Sequence, residues 1–594
     1  MITCLDAELQ HQLDQQGYVL MPFLPSQTIT KFKTLYNQYF KADAPFYSSS
    51  FHNDLSLKKK LSDIILQELH PLLDQVVCDV RWLGASFLEK PAGEHFAMPI
   101  HQDWTVTDEE RFGSFTFWIP LQDTSAQHGA MQVIAGSHNI EAVLRAPSLP
   151  VAFDAQRKWM NSYLKTIPMK AGTAMLFNQK LMHASLPNFS DQGRLALTVG
   201  LVPKEAKLRM YYFDKSRSEI SQYAMPDDLF LRYPEVINGP GIGELEKTLP
   251  YTPTVFSEAE LRVKLDALKR SFMQPLFANR EHQEFFESKG YLIVQALNED
   301  DRETLRRFLF ESGIKKESPY GFYVGMDHDD KSLVRKMMEV VKQVALPKVA
   351  PYLLPHQLIT ASYVIKDPNE KGIVPPHQDW TFVEDEDRHC SVTCWIALED
   401  MTMKNGCMGV LKGSNSFFRN VRPSPSPQVP SPLAKHLFHI FPYLHLLEMK
   451  AGEALFFDNR TIHASPPNLS EQPRLAVGLS ITQADAELRH YFLKPGTKDR
   501  LLKYKVNPTF FQQYDNGMLS KMYDAGQLPE GYELMEEIPY QWEDWSKSQF
   551  EERLKAAGNV YNEPLTKELK RIFASQMRNG VMERVKSLWQ RIKL

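Results

Sequence analysis

Two hydrophobic patterns alternate along this chain, and their succession occurs twice. Ile64, Ile65 and Leu69 recur at roughly helical spacing, as do Met337, Val340, Val341 and Val344. Each stretch reads as a helix, expected to end at a proline, Pro71 or Pro347. Short runs rich in aromatic and β-branched residues follow, Ser114–Ile119 and Ser391–Ile396, which have the length and content of strands. Glycine turns punctuate them, as at Gly136-Ser137-His138 and Gly413-Ser414-Asn415. Many short strands with Gly and Pro turns predict a β-sandwich or barrel with helices packed outside, a mainly β fold with flanking helices.

The repetition sets the domain plan. Gly17-Tyr18-Val19-Leu20 matches Gly290-Tyr291-Leu292-Ile293, and Lys90 matches Lys366. Pro250-Tyr251 resembles Pro539-Tyr540. A first unit over 1–272 and a second over 273–560 are expected, with a C-terminal extension over 561–594. In that extension Lys567, Lys570, Arg571, Arg578, Arg584, Lys586, Arg591 and Lys593 alternate with Leu569, Ile572, Phe573, Val585, Leu588 and Trp589. The pattern reads as a basic amphipathic helix or helix pair, more simply a terminal helix docked on the protein than a contact for an anionic surface. The copies differ most between residues 140 and 166 and in a proline-rich stretch, Pro423, Pro425, Pro427, Pro430 and Pro432. That difference alters a substrate entrance or is a neutral surface loop.

Composition narrows the classes. At 594 residues the chain is too long for one core, as the repeat requires. A net charge of −4 gives no electrostatic footprint for nucleic acid, and no apolar run is long enough for a membrane span. The N-terminus has no basic region followed by an apolar stretch, so no secretory signal is read there. The cysteines, Cys4, Cys78, Cys390, Cys394 and Cys407, are odd in number and form no CxxC pair, which favours reduced thiols and a cytoplasmic setting.

The chemistry lies in a duplicated constellation. His101-Gln102-Asp103-Trp104 recurs as His377-Gln378-Asp379-Trp380, and Met182-His183-Ala184-Ser185 as Ile462-His463-Ala464-Ser465. An arginine, Arg194 or Arg474, follows the distal histidine by eleven residues in both copies. On a strand, residues two apart share a face, so His101 and Asp103 can grip one metal while His183 joins from a distant strand. Two histidines and one carboxylate on one face leave three positions open, the pattern of non-haem Fe(II) oxygenases. A lone HxD arises often by chance; the specificity comes from the complete set occurring twice. An inward arginine suits bidentate binding of a carboxylate, such as one end of a dicarboxylic co-substrate, or serves a structural ion pair. Ser185 and Ser465 share the histidine's face and can add a hydrogen bond. Lys90 and Lys366, eleven residues before each HxD, either contact co-substrate or substrate or lie at the surface. Asp108-Glu109-Glu110 and Glu384-Asp385-Glu386-Asp387 read as solvated loops.

These residues resemble the phytanoyl-CoA dioxygenase (PhyH) family of Fe(II)- and 2-oxoglutarate-dependent oxygenases. The resemblance covers roughly residues 10–215 and 282–495. It rests on the two triads, the two arginines, and a turn reading His128-Gly129-Ala130-Met131 or Asn405-Gly406-Cys407-Met408. It implies two tandem double-stranded β-helix (jelly-roll, cupin-like) domains. It implies Fe(II) held by His101, Asp103 and His183, and by His377, Asp379 and His463. It implies 2-oxoglutarate held by Arg194, Ser185 and Trp118, and by Arg474, Ser465 and Trp395, with O2 as oxidant. Hydroxylation of a small-molecule substrate is the implied reaction, with desaturation, epoxidation and cyclisation open to the same triad. Both aspartates are present, unlike in the related halogenases. Two active sites, or a fused intramolecular pseudo-dimer with one active and one structural or binding unit, remain as alternatives.

Overall fold

The computed structural model describes residues 2–578 apart from 41–46, 94–95, 142, 238, 240, 315–320, 371 and 543. The chain divides into two compact units, Met1–Lys269 and Arg270–Leu594. Each is mainly β with flanking helices, and each carries the same three antiparallel sheets. In the first unit a six-stranded sheet runs in the order Tyr18–Pro22, Thr173–Asn178, Phe115–Pro120, Arg194–Pro203, Val80–Lys90, Tyr47–Ser48. A four-stranded sheet orders Met98–His101, His183–Ser185, Met131–Val133 and Lys165–Ile167. The second unit repeats both orders, with Arg474–Gln483 beside His356–Lys366 in the larger sheet and Val374–His377 beside His463–Ser465 in the smaller. A three-stranded sheet completes each unit: Arg209–Asp214, Glu219–Ala224 and Glu244–Pro250, and then Arg489–Leu493, Arg500–Lys505 and Glu533–Pro539.

The helices cover one face of each six-stranded sheet. The helix Leu55–Leu73 turns Leu61, Ile65, Leu69 and Leu73 onto Ala85, Phe87, Val199 and Leu201. Lys331–Val349 does the same with Met337, Val341, Ala345 and Val349. Burying each large aliphatic side chain contributes roughly 1.5–3 kcal/mol, which anchors helix to sheet. Pro71 and Pro347 lie inside these helices, two residues before their ends. The sequence pattern alone stops the helix at the proline. A proline so near the C-terminus forfeits one N–H bond, and the last turn persists because Leu73 and Val349 are fully buried. The opposite face of the large sheet, carrying Trp118, Met175 and Ala196, packs with Met131, Val133 and Ile167 of the smaller sheet. Strands buried on both faces explain why Arg194–Pro203 reads as an almost continuous apolar run.

The C-terminal helix Glu563–Arg578 sets Leu565 and Leu569 against Trp545 and Phe550 in the core of the second unit. Arg584, Lys586, Leu588, Trp589, Arg591 and Lys593 of the expected basic extension lie outside the described residues. Among the described residues no helix is long and apolar enough to cross a membrane.

Asp330 caps Lys331–Val349 by accepting from the backbone N–H groups of Ser332 and Leu333. Asp330→Ala is expected to destabilise the second unit by about 1 kcal/mol in a denaturant melt; no change in midpoint would refute the cap's contribution.

Candidate metal centres

The metal-ligating side chains meet because of a strand pairing. His101 ends one strand of the smaller sheet and His183 begins its neighbour, and the two are direct cross-strand partners. His377 and His463 are paired in the same way. Their rings lie 4.2 Å apart, centroid to centroid, in both units. The strand stops at His101, so Asp103 does not reach the site by strand alternation. It is held just beyond the strand end, where its N–H bonds the carbonyl of Gln179 at 3.0 Å, and Asp379 bonds that of Asn459 at 2.9 Å. The carboxylate then stands 3.9 Å from His183 Nε2 in the first unit, and 3.7 Å from His463 Nε2 in the second. In each triad the three potential ligand atoms lie within 4.8 Å of one another.

Every histidine Nδ1 faces the carbonyl two residues earlier: Pro99 at 2.9 Å, Leu181 at 2.9 Å, Pro375 at 2.8 Å and Thr461 at 3.0 Å. That contact fixes the tautomer, with Nδ1–H donating to the carbonyl, and leaves the unprotonated Nε2 lone pair turned to the centre. Burial, and then the neighbouring histidine, push His101 and His463 down to about 4, so neutral imidazole prevails at physiological pH. Neutral imidazoles and one carboxylate fit a divalent iron and leave coordination positions open.

Beside each triad lies a receptor for an anion. Arg194 and Lys90 are cross-strand partners on adjacent strands of the six-stranded sheet, as are Arg474 and Lys366. Like charges placed directly opposite are unfavourable, and both pairs are buried. Burial and the neighbouring guanidinium push Lys90 down to about 7 and Lys366 well below its ordinary value. Burial brings both arginines down to about 10. Lys90 Nζ reaches Ser185 Oγ at 2.5 Å and the Leu186 carbonyl at 2.6 Å, and Lys366 reaches Ser465 Oγ and the Pro466 carbonyl. The guanidiniums of Arg194 and Arg474 each lie 5.0 Å over the ring of Trp118 or Trp395. Each donates from Nη1 to a glycine carbonyl, Gly129 or Gly406, but its Nε is buried with no hydrogen-bond partner. No carboxylate among the described residues ion-pairs with either. A buried, unanswered guanidinium beside a lysine that an arriving anion would favour in its charged form fits one carboxylate of a small dianion. The glycines are needed there: Gly406 has φ +77°, and a Cβ on it would sit 2.7 Å from the Pro466 carbonyl oxygen.

All twelve residues singled out from the sequence therefore cluster as two sets of six. Lys90 and Lys366 join them as buried groups rather than surface lysines, and their strand register was the missing signal. The acidic stretches also differ from expectation. Glu109 and Glu386 are largely buried and ion-paired with Arg145 and Arg422, and Glu384 pairs with Arg489 and Lys503. These ion pairs join residues far apart in the chain, which a run of acidic residues in sequence does not reveal.

The two sites differ on the side away from the anion receptor. The first opens into a cavity of about 230 Å³ whose lining includes Ser48, Ser50, Ser86, Thr198, Phe230 and Tyr233. Ser86 and Thr198 share a hydroxyl contact of 2.8 Å, and so do Ser48 and Ser50 at 2.7 Å. In the second unit the register places Ser362 opposite Gly478 and Val324 opposite Val364, where the first has Ser86 opposite Thr198 and Ser48 opposite Leu88. Met326 follows Val324 there as Ser50 follows Ser48. The Ser362 hydroxyl is bound by backbone, donating to the Tyr363 carbonyl and accepting from Met326 N.

Comparison with known proteins follows the same two-part plan. The sequence profile of the phytanoyl-CoA dioxygenase (PhyH) family matches residues 15–196 and 252–476, more than half of the chain. A phytanoyl-CoA dioxygenase of Arabidopsis thaliana is 34% identical over 134 residues, 22% of this chain and 45% of that protein. The peroxisomal phytanoyl-CoA dioxygenase of Homo sapiens is 25% identical over 255 residues, 38% of this chain and 74% of that protein. The chain thus spans 45%, less than half, of the length of the plant relative it matches. A crystal structure of EvdO2 from Micromonospora carbonacea var. aurantiaca, 16% identical, is covered over 93% of its length by 34% of this chain at a TM-score of 0.28.

Lys90 is charged below about pH 7 and attracts an anion only in that form. Binding at higher pH requires proton uptake, so affinity for 2-oxoglutarate is expected to fall as pH rises above about 7. Lys90→Met/Lys366→Met should bind roughly 10- to 100-fold more weakly at pH 6 and lose most of that pH slope, as for a lost charge-assisted hydrogen bond. Calorimetric titration with Zn(II) present reads both; an unchanged slope would remove the lysines from the anion receptor.

Proposed function

Because this chain belongs to the phytanoyl-CoA dioxygenase family, we propose that it is an Fe(II)- and 2-oxoglutarate-dependent dioxygenase with two working sites, each on a double-stranded β-helix. The observation that carries this reading is the juxtaposition, in both units, of a two-histidine, one-carboxylate cluster with a buried arginine that no carboxylate among the described residues answers. His101, Asp103 and His183 would hold one iron, and His377, Asp379 and His463 a second. Arg194 with Lys90 and Ser185, and Arg474 with Lys366 and Ser465, would bind the far carboxylate of 2-oxoglutarate. When bound, iron and 2-oxoglutarate supply the activation of O2, with succinate and CO2 formed as a substrate C–H bond is hydroxylated.

The protein's own part is positional. The carbonyl contacts at Nδ1 keep four imidazoles aimed without a reorganisation step. Trp118 and Trp395 cover the guanidiniums and exclude water, which strengthens each charge–charge contact. The five cysteines are all free thiols, in keeping with a reducing, cytoplasmic setting. The contrast between a hydroxyl-lined first site and a second bearing Val324, Met326 and Gly478 supports a different small-molecule substrate for each.

Wild-type protein reconstituted anaerobically is expected to hold about two Fe(II) per chain, as independent triads require. His101→Ala and His377→Ala should each hold about one. Each should lower 2-oxoglutarate-dependent succinate release without abolishing it, and a metabolite screen by mass spectrometry should return different substrates for the two. If one change removes all succinate release and the other none, the chain is a pseudo-dimer with a single active unit.

A further inference from the structure

Each metal-binding aspartate is clamped at its main chain by a buried ion pair that the proposed chemistry does not use. Arg145 Nε donates to the carbonyl oxygen of Asp103 at 2.6 Å, and Arg422 Nε to that of Asp379 at 2.7 Å. The rest of the Arg145 guanidinium grips Glu109 with two hydrogen bonds, 3.0 and 2.5 Å long. Arg422 grips Glu386 in the same bidentate way. Side chains of Arg145 and Glu109 are 10% and 6% exposed, and those of Arg422 and Glu386 are 6% and 17% exposed, so these pairs are shielded from solvent screening.

The clamp extends by one more residue. Thr105 N donates to the Arg145 carbonyl, and Thr105 Oγ1 accepts from Arg145 N at 3.1 Å. Thr381 and Arg422 repeat both contacts. With the Asp103 N–H already bonded to the Gln179 carbonyl, both polar groups of the aspartate's main chain are held. This support replaces the strand that ends at His101.

Comparison of the two units separates this feature from ordinary packing. Arg145 and Arg422 stand at the head of the segments where the copies diverge most, and Arg422 runs directly into Pro423, Pro425 and Pro427. The second unit has one more residue between its aspartate and its arginine. The aspartates' own side chains are treated differently: Thr393 Oγ1 donates to Asp379 Oδ2 at 2.9 Å, whereas Thr116 Oγ1 accepts from Gln179. The main-chain clamp is alike in both. Resting on the metal-site reading above, we infer that Arg145 with Glu109, and Arg422 with Glu386, are positioning pairs that set metal affinity by holding Asp103 and Asp379 in place.

Co(II) titration of the full-length protein, followed by d–d absorption with a thermal melt of each variant, tests this without turnover. The unaltered site in the same chain is the internal standard. Wild type should take up two equivalents. Arg145→Met should leave one equivalent unchanged and weaken the other about 10- to 100-fold, the usual effect of removing a group that orients a ligand. Arg422→Met should do the same to the other site. Arg145→Lys keeps the charge but cannot span both Asp103 and Glu109, so an intermediate loss is expected. The inference is overturned if both Arg145 variants titrate like wild type, if both equivalents weaken together, or if both variants lose the first unit's melting transition. Wild type that takes up no Co(II) would sink the metal reading itself, and this inference with it.

Discussion

The antiparallel pairing of two short strands in each smaller sheet is the constraint on which the rest depends. His101 stands opposite His183, and His377 opposite His463, because the register is set that way. A slip by one residue would turn one imidazole of each pair to the other face and leave no triad. The larger sheet supplies a second register of equal consequence, bringing Arg194 beside Lys90 and Arg474 beside Lys366. Metal ligands and anion receptor therefore come from two sheets packed through a shared apolar layer, which includes Trp118 and Met131 in the first unit and Trp395 and Val410 in the second.

Much of this arrangement works against stability. A buried guanidinium opposite a lysine whose charge burial disfavours, with orphaned guanidinium and indole nitrogens, raises the energy of the ligand-free chain. A site built to be completed by a dianion carries that cost until the dianion arrives. Large, well-packed cores on the helix-covered faces of the six-stranded sheets offset it. The Arg–Glu pairs beside the aspartates are a different case, since both charges are answered within the protein.

Duplication shows which features the chemistry requires. The triads, arginines, lysines, serines and tryptophans keep both identity and geometry, whereas the position of Thr198 in the first unit is held by Gly478 in the second, and that of Ser50 by Met326. Side chains around the reacting centre are held to a narrow geometry by ligand distances and directions. Walls further away need only complement whatever substrate is present, so they can diverge.

Local sequence carried the elements well, because helical and strand periodicities depend on neighbours in the chain. Ser114–Ile119 and Ser391–Ile396 are strands shifted by one residue from expectation, and the helices run two residues beyond their prolines. The triads were legible because HxD, a distal histidine and an arginine at a fixed interval form a rare set, made rarer by repetition. What sequence alone could not decide was whatever depends on long-range register and enclosure. Lys90 reads equally as a site residue or a surface lysine until Val80–Lys90 is paired with Arg194–Pro203. Glu109 reads as a solvated acid until Arg145, 36 residues away, closes over it. The sequence by itself determined which groups are available for binding iron and a carboxylate. Only tertiary structure decided which of them are desolvated together, because burial and cross-strand contact belong to the folded chain and not to any segment of it.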